Sequence, residues 1–428
     1  MGSFITQHGP ADPTAYGPRR AREGGTYRAY VPDLLGPMEV SLDARVAADV
    51  ADAERALVEL DAAVATQNAP HRLEVLARLL LRAEAVGSSR IEGLVVSPRR
   101  LALADLDPDL EPASHAREVV ANLEALREAL TLADREGPIA VDDLRRLHAR
   151  LMAGTQDTHL GGVVRTEQNW IGGHTPLDAA FVPPPHDRVP GLLEDLCAYL
   201  SGTEHSPVVQ AALVHAQFET IHPFADGNGR TGRALLHLVL RRRGICRRFV
   251  PPISLVLATW SRRYVDALTA TRAASKPGSA AHTEGWTRWI ETLAEATRVA
   301  CAAAQRYDDA VTALVEDWRD RLASMAKPPR ADAATWALLP WLPASPLITA
   351  AGAVELTGRS PRAIDGALAH LVDAGVLKQV RGKVRYRVYQ AVGVFDLITD
   401  AERALASPAL DTQQAKPSRP VPARRRQP

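Results

Sequence analysis

The stretch that decides the fold and chemistry of this chain is HPFADGNGRTGR, from His222 to Arg233. Within it, Gly227 to Gly232 match the G-x-G-x-x-G pattern of a dinucleotide-binding loop. That loop requires a buried β-strand before the first glycine and an acidic residue about 20 positions later. Here an apolar helical face ending at Ile221 precedes the loop, and RRRGICRRFVPP follows without an acidic residue. A Walker A loop is also excluded, because Gly232 is followed by Arg233 and not by Lys.

The same stretch predicts a phosphate site of another kind. A helix is expected from about Gly229 to Leu240, and its free N–H groups and positive dipole end attract an anion. Arg230 and Arg233 lie three residues apart and share a face of that helix. Asp226 offers a hard oxygen ligand for Mg²⁺ on a nucleotide. His222 is a candidate general base.

Each of these residues also has a purely structural interpretation. Asp226 or Asn228 would then be only N-caps, and the arginines only solvated helix charges. Phe224 is expected to pack in the core and anchor the loop. A base, a metal ligand, an anion site and two cations within one short stretch nevertheless favour phosphate chemistry.

HPFADGNGRTGR resembles, without a departure, the signature of the Fic family, H-x-F-x-[D/E]-G-N-G-R-x-x-R. The resemblance extends to the Gly/Pro-rich segment from Gly161 to Pro185, to AYVPDLL near Tyr30 and to the helix ending AEAVGSSRIEGL. It covers roughly Tyr27 to Ala326. It implies a mainly α Fic fold, in which a helical bundle carries a β-hairpin flap.

The resemblance also implies an activity, protein adenylyltransfer, in which AMP passes from ATP to a Ser, Thr or Tyr hydroxyl and pyrophosphate leaves. His222 would take the hydroxyl proton, and Asp226 would hold Mg²⁺ against the phosphates. The flap, around Arg165 to Thr175, would dock the target segment by strand-like pairing. Tyr264 is assigned a place beside adenine, with a place in the core as the alternative. The implied ATP-binding set is Gly227, Asn228, Gly229, Arg230, Thr231, Gly232, Arg233 and Tyr264.

A second motif, SSRIEG, predicts autoinhibition. Ser88 and Glu92 are four residues apart on one helix face, and the pair resembles the inhibitory pattern [S/T]-x-x-x-E-[G/N] of the family. Glu92 falls in the last turn, where the helix dipole disfavours an anion, so a cation elsewhere is expected. The resemblance implies that this cation is Arg233. The alternative is a surface carboxylate paired with Arg90 or with nothing.

The C-terminal segment predicts a small winged helix-turn-helix domain. Its second helix has Ser360 as N-cap, Pro361 at the first position and Gly375 after its end. Such a domain can bind DNA, with wing charges on phosphates. The expected recognition helix has few base readers besides Arg362, so protein contacts or target recruitment are favoured. The wing charges are Lys378, Arg381, Lys383, Arg385 and Arg387.

Bulk properties set further limits. The chain has 428 residues and a net charge of +1. Its overall charge therefore does not indicate binding to nucleic acid or to a membrane surface. Three distant cysteines and the lack of a long apolar run favour a cytoplasmic protein without disulfides or membrane spans. The expected domains are a disordered arm (1–25), an N-terminal helical region with the inhibitory helix (26–110), the catalytic core (111–250), a helical extension (251–327), a winged helix (331–400) and a disordered basic tail (401–428).

Three alternatives remain open from the sequence. A related transfer, of another nucleotide, of phosphocholine or of phosphate, would use the same site. Glu92 could also position water for removal of AMP. A DNA-binding regulator would use the Fic core only to sense nucleotide. The target protein is unidentified, and a homodimer is a further expected partner.

Overall fold

The computed structural model describes residues 2–11, 14, 19–65, 70–111, 115–272, 279–381 and 387–406. Helices form most of it. The first half contains β1 (Ser3–Gly9), α1 (Arg19–Glu23), β2 (Gly25–Val31), α2 (Ala44–Ala65), α3 (Pro70–Ile91), α4 (Pro98–Leu106), α5 (His115–Asp134), α6 (Val141–Met152), α7 (Val189–Ser201), α8 (Pro207–Ile221) and α9 (Asn228–Arg242). The second half contains α10 (Ile253–Thr259), α11 (Ser261–Ala270), α12 (Ala280–Ala323), α13 (Ala334–Leu338), β3 (Leu347–Thr349), α14 (Ala350–Thr357), α15 (Pro361–Asp373), β4 (Leu377–Arg381), β5 (Val388–Ala391) and α16 (Val394–Ala406).

The centre of the bundle is α8, whose residues from Val208 to Ile221 are all buried. Pro207 occupies the first turn of α8, where its missing N–H costs nothing. The helix α9 packs on α8, and α2 packs on the long α12. The Trp289 indole donates to the Ala212 carbonyl at 2.8 Å and so ties α12 to α8. The core therefore holds both sides of the motif, the end of α8 and the start of α9, in fixed positions.

The N-terminal residues differ from the expected disordered arm. Strand β1 pairs antiparallel with β2, from Ser3 opposite Val31 to Gly9 opposite Gly25. The Phe4 ring packs edge-on against Tyr30. The prediction of disorder is therefore wrong for β1 and α1. A polar composition does not reveal that β1 has a partner strand, with which it forms a ladder of hydrogen bonds.

The flap also differs from its prediction. Between Gly161 and Pro185 the expected hairpin is reduced to one antiparallel bridge, Ile171 with Phe181, and a second bridge joins Val164 to Phe224. The rest of this stretch is turns and irregular backbone.

The C-terminal elements form a three-stranded sheet, in the order β3-β5-β4, beside α14 and α15. Ser360 caps α15, Pro361 follows it, and Gly375 has a φ of 68°, as the capping pattern predicts. This element order is the one expected of a winged helix-turn-helix, which stays a prediction. Residues 382–386, with Lys383 and Arg385 of the expected wing, lie outside the described residues.

The division between core and C-terminal domain differs from the expected boundary near 327–331. Trp318 and Leu322 of α12 are buried in the C-terminal cluster, so the two units share this helix. In turn, Leu397 and Ala401 of α16 pack against the main core. The helix α16 runs to Ala406, inside the expected tail, and residues 407–428 lie outside the described ones.

No helix in the described part of the chain combines the length and the apolar character that a membrane span requires. The three cysteines are all buried and free.

Candidate functional site

The site begins where α8 ends, at His222. This residue has φ 50° and ψ 60°, and it is the one non-glycine residue among those described with a positive φ. Such a backbone costs about 1–3 kcal/mol and persists only where the surroundings enforce it. Here the His222 carbonyl accepts from Nε of Arg165 at 2.9 Å and from Nδ2 of Asn169 at 3.1 Å. The flap therefore fixes the backbone that aims the imidazole.

Arg165 is the flap's main anchor to the motif. It is buried, and its guanidinium donates to the carbonyls of His222, Glu167, Pro184 and Ile221. Burial lowers its pKa to about 10. The Arg165 backbone N–H also donates to the Pro223 carbonyl at 2.9 Å. Nothing in the local sequence distinguishes this arginine from a solvated one, and its role required the structure.

The imidazole of His222 is kept neutral at physiological pH. Burial lowers its pKa to about 4, and the charge of Arg272 acts in the same direction. The Glu219 backbone opposes this shift through a hydrogen bond, and Glu92 opposes it through its charge. A neutral imidazole can accept a proton, which a general base requires.

Phe224 anchors the loop between the two helices, as predicted. It is fully buried and stacks on His148 at 3.7 Å between ring centroids, with 2° between the planes. The Asn228 side chain closes the loop, because its Oδ1 accepts from the Phe224 N–H at 2.9 Å and its Nδ2 donates to the Phe224 carbonyl at 2.8 Å. Gly227, at φ 74°, precedes the helix as N-cap residue. Asn228 is therefore a loop clamp, and neither it nor Asp226 is the N-cap.

His148 is a site residue that the sequence analysis missed. Its Nδ1 accepts from the Gly162 N–H at 2.9 Å, which places the proton on Nε2, and Nε2 lies 2.9 Å from the Asp226 carbonyl. Burial lowers its pKa to about 4. The ring thus braces the loop from α6. The available signal was a histidine on the apolar face of α6, beside Leu147 and Leu151.

The start of α9 lies where the glycines predict an anion site. The first N–H groups of α9 have no partner within the helix. A Cβ at Gly229 would overlap Oε1 of Glu92, so the Glu92 carboxylate lies directly over this end of the helix. The chain's own carboxylate occupies the region to which the dipole attracts an anion.

Arg233 is bound to the predicted inhibitory motif. It is 2 % exposed, and its Nη2 lies 2.7 Å from Oε1 of Glu92. Its Nε donates to Ser88 Oγ at 3.0 Å, and its Nη2 donates to the Ser88 carbonyl at 2.9 Å. Burial alone would lower the pKa of Arg233, but the charge and hydrogen bond of Glu92, together with the effects of Tyr264 and Glu219, outweigh burial and raise it. The structure thus brings Ser88, Glu92 and Arg233 together, and Arg90, the alternative partner of Glu92, pairs with Glu402 instead.

Buried contacts fix the helix that carries this motif. Glu84 of α3 is fully buried and accepts from the Ser254 N–H at 2.7 Å. Asn122 of α5 donates to the Ala85 carbonyl and to Ser89 Oγ. The helix ends as predicted, since Gly93 follows it with a φ of 81°. Glu92 is therefore held over α9 by a rigid support and not by a mobile loop.

Arg230 has a different environment. It is 4 % exposed, and its nearest carboxylates are Glu118 at 3.7 Å and Asp226 at 3.6 Å. Its Nε and Nη1 are buried and make no hydrogen bond to the described residues. Buried guanidinium groups normally have their donors satisfied. Two donors of the Arg230 guanidinium are therefore unsatisfied within the described residues.

Asp226 lies at the mouth of the site with its side chain 61 % exposed. No group of three or more His, Cys, Asp or Glu that could hold a metal is found within the described residues. One exposed carboxylate fits Mg²⁺ that also binds nucleotide phosphates, because this ion usually takes one or two protein carboxylates together with phosphates and water.

Three members of the predicted ATP-binding set are buried behind the site. Tyr264 bonds His215 Nε2 at 2.8 Å and packs on Trp289, so the core alternative fits it and the adenine role does not. Gly232 faces α8, where a Cβ would press on Phe218 and Glu219. Thr231 is fully buried, and its hydroxyl donates to the Gly227 carbonyl at 2.9 Å. These residues pack the two helices together.

Glu219 is a second residue that the sequence analysis missed. It is buried on α8, and its Oε1 has no hydrogen-bond partner among the described residues. Burial raises its pKa to about 7, against the opposing charges of Arg233 and Arg272. The available signal was the one carboxylate in a helix that has no Lys, Arg or second acidic residue.

Comparisons with known proteins cover both motifs. The Fic/DOC family model matches residues 138–240, and the Fic/DOC family N-terminal model matches residues 47–131. Protein adenylyltransferase fic-1 of Caenorhabditis elegans is 30% identical over 149 residues, 34% of this chain and 27% of that protein. Protein adenylyltransferase Fic of Drosophila melanogaster is 37% identical over 130 residues, 29% of this chain and 24% of that protein. The chain thus spans about a quarter of the length of these relatives.

A solved structure shares the fold. The Fic domain containing signaling protein from Bacteroides thetaiotaomicron aligns with a TM-score of 0.50 and 20% identity, over 61% of this chain and 97% of that chain. The two family models include His222 to Arg233 in one and Ser88 and Glu92 in the other, and neither reaches the C-terminal module. The segments that carry Glu92 and His222 thus match the two Fic/DOC family models.

Proposed function

We propose that this protein transfers AMP from ATP to a Ser, Thr or Tyr hydroxyl of a target protein and releases pyrophosphate. The observation that carries the proposal is a neutral, buried imidazole beside a helix N-terminus that bears two buried arginines. A base next to a strong anion site is what attack of an alcohol on a phosphate requires. The names of the relatives from Caenorhabditis and Drosophila support the same reaction.

In the proposed reaction the target oxygen attacks the α-phosphorus, and the bond from that phosphorus to the pyrophosphate oxygen breaks. His222 takes the hydroxyl proton. The phosphates face the N–H groups at the start of α9, and their negative charge opposes the effect of Arg272 on the imidazole. We therefore expect the pKa of His222 to rise from about 4 when ATP binds, which makes it a stronger base.

The charges of the phosphates would be balanced by residues of α9. Arg230 supplies the buried donors that lack partners, and Arg233 supplies a second guanidinium once Glu92 leaves it. The exposed carboxylate of Asp226 would hold Mg²⁺, which when bound neutralises charge on the phosphates. The protein's contribution is chiefly position and charge, as in other phosphoryl-type transfers.

Glu92 is proposed to inhibit this transfer. Its carboxylate lies over Gly229 and binds Arg233, and both features compete with the terminal phosphates of ATP. Bound ATP would then lack one guanidinium and adopt an unreactive pose. In the alternative role, the same carboxylate would orient water for removal of AMP.

The flap is proposed as the docking site for the target chain. Its backbone beyond the Ile171–Phe181 bridge forms few regular pairs, so an extended segment could add to it. The same flap holds the His222 carbonyl through Arg165 and Asn169, so a segment docked on the flap would bring its hydroxyl near the imidazole.

The test is incubation of cell lysate with ATP labelled at the α- or the γ-phosphate, using the Glu92→Gly form. The proposal predicts protein-bound label from α-labelled ATP only, and its loss by about 10²–10⁴-fold on adding His222→Ala. Label from the γ-position would mean phosphate transfer. Unchanged α-label in the His222→Ala form would contradict the assigned base.

A further inference from the structure

A cavity of about 730 Å³ lies behind the inhibitory helix, between α3, α4, α10, α12 and α16. This volume is within the range of small-molecule sites, about 300–1,000 Å³. Its walls come from distant parts of the sequence and are mostly hydrocarbon. They include Leu79, Val86, Leu101, Leu255, Leu397 and Ala401. It does not include any residue of the motif from His222 to Arg233.

Tyr307 is the one buried polar side chain among the lining residues, whereas the seven charged residues of the lining are partly buried or exposed: Arg82, Arg306, Asp317, Arg321, Asp396, Asp400 and Glu402. Tyr307 of α12 is 7 % exposed, and its hydroxyl makes no hydrogen bond to any residue that the structure describes. Burial raises the pKa of this phenol, so it is a neutral donor and acceptor at physiological pH. Buried tyrosine hydroxyls usually have a partner. A ligand oxygen in the cavity would supply one.

The cavity and the active site lie on opposite faces of α3. Leu79, Ala83 and Val86 line the cavity and share a face, because they are spaced by four and three residues. Ser88 and Glu92, which bind Arg233, lie about half a turn around the helix. A molecule in the cavity would therefore press on the back of the helix that holds Glu92.

A charged contact closes the rim of the cavity beside the inhibitory motif. Arg90 Nη2 lies 2.5 Å from Glu402 Oε2, which joins the end of α3 to α16. Both residues are partly buried. The position of α3, and with it of Glu92, is thus coupled to the helix that forms the far wall of the cavity.

We propose that this cavity binds a small, uncharged, hydrocarbon-rich molecule with one hydrogen-bonding oxygen, and that this molecule reinforces inhibition by Glu92. The hydrocarbon part fills the apolar walls, and the oxygen pairs with the Tyr307 hydroxyl. Filling the space between α3 and α16 would add contacts that support α3 in the observed arrangement, in which Glu92 binds Arg233. A ligand that favours one arrangement shifts the population towards it. The binding half stands alone, and the inhibitory half rests on the proposed function.

Binding is tested with the fluorescent apolar amine N-phenyl-1-naphthylamine, displaced by decan-1-ol, on the full chain. The wild type is expected to bind one probe molecule per chain and to release it to decan-1-ol. Ala83→Trp fills the cavity and should abolish binding, while Val58→Trp on the exposed face of α2 should leave it unchanged. Tyr307→Phe should weaken decan-1-ol binding about fivefold, the loss of one hydrogen bond. No binding by the wild type, or equal binding by Ala83→Trp, overturns the site.

Inhibition is tested by AMP transfer with α-labelled ATP at saturating decan-1-ol. The wild-type rate is expected to fall at least threefold and the Glu92→Gly rate to stay the same. A wild-type rate that does not respond, while Glu92→Gly is faster than wild type, overturns the inhibitory half of this proposal. Equal rates for wild type and Glu92→Gly without decan-1-ol would instead contradict autoinhibition itself, and the binding result would still decide the cavity.

Discussion

Two arginines on α9, one turn apart, have opposite surroundings. Arg233 is 2 % exposed and its guanidinium is bound by Ser88 and Glu92, at the C-terminal end of α3. Arg230 is 4 % exposed, yet its carboxylate neighbours are 3.6 and 3.7 Å away, and two of its nitrogens have no hydrogen bond within the described residues. The protein's own carboxylate therefore pairs with Arg233, whereas two donors of Arg230 stay unsatisfied within the described residues.

The two arginines are expected to differ in what they contribute to stability and to activity. A buried donor without a partner costs about 1–3 kcal/mol, so Arg230 burdens the fold. Arg233 contributes to the fold as long as Glu92 stays in place. An ATP molecule would reverse this assignment, because its phosphates would satisfy Arg230 and compete with Glu92 for Arg233.

The largest expected effect in this comparison is the loss of AMP transfer when Arg230 is replaced. In the Glu92→Gly background, Arg230→Met should lower AMP transfer at least about 100-fold, as expected for loss of one preorganised donor to a developing charge. Its free energy of unfolding should change by less than about 1 kcal/mol, since a buried guanidinium with two unsatisfied donors is replaced by an apolar chain. Radiolabel transfer and urea unfolding measure the two. A large loss of stability would show that Arg230 is satisfied in the free protein.

The matched change at Arg233 should affect stability instead. Arg233→Met in the otherwise wild-type chain leaves Ser88 buried without its donor, and should lower the free energy of unfolding by about 2 kcal/mol. Urea unfolding of both methionine variants in parallel provides the comparison. If the two variants lost equal stability, the contrast between the arginines would be wrong.

A smaller effect concerns the pH dependence of activity, which depends on the protonation of His222. A base is active when deprotonated, so activity is kept above its pKa and lost as pH falls through it. With a pKa of about 4, His222 should keep kcat/KM of the Glu92→Gly form within twofold between pH 7 and pH 5.5, at saturating Mg²⁺. An ordinary histidine, with a pKa near 6.5, would lose about tenfold.

The control for that profile is Glu219→Gln. Burial raises the pKa of Glu219 to about 7, so this carboxyl titrates in the same pH range. A tenfold loss that persists in the Gln variant would assign it to His222 and contradict the lowered pKa.

Much of the active site could be predicted from local sequence because its parts are local. The helix start, the loop glycines and the two arginines all lie within twelve consecutive residues, and Ser88 lies in the last turn of α3 with Glu92 directly after its end. The caps at Ser360 and Gly375 were predictable for the same reason, because capping depends on neighbouring residues.

What could not be predicted depends on contacts between distant segments. His148 and Arg165 brace the loop from α6 and the flap, and their side chains look ordinary in sequence. Tyr264 is at a plausible distance along the chain from the motif, but the fold turns its hydroxyl to His215 and away from the cleft. Strand β1 forms because a partner strand is available at Gly25–Val31.

The return of α16 to the core was missed for the same reason. The C-terminal segment has the element pattern of an independent domain, and only the structure shows that its last helix packs against the main core and pairs Glu402 with Arg90. The contact between the C-terminal module and α3 therefore depends on the tertiary structure and cannot be read from local sequence. Whether the module also binds DNA stays a prediction that electrophoretic mobility shift with Arg362→Ala would test.

The central claim is that the Glu92 carboxylate occupies the anion site at the start of α9 and withholds Arg233 from ATP. The most direct measurement is transfer of α-labelled AMP to protein, including the enzyme itself, by wild type, Glu92→Gly and the Glu92→Gly/His222→Ala pair. We predict at least a fivefold rise for Glu92→Gly, within the usual range of regulatory coupling of about 5–150-fold, and no transfer by the pair. Equal transfer by wild type and Glu92→Gly would contradict the claim.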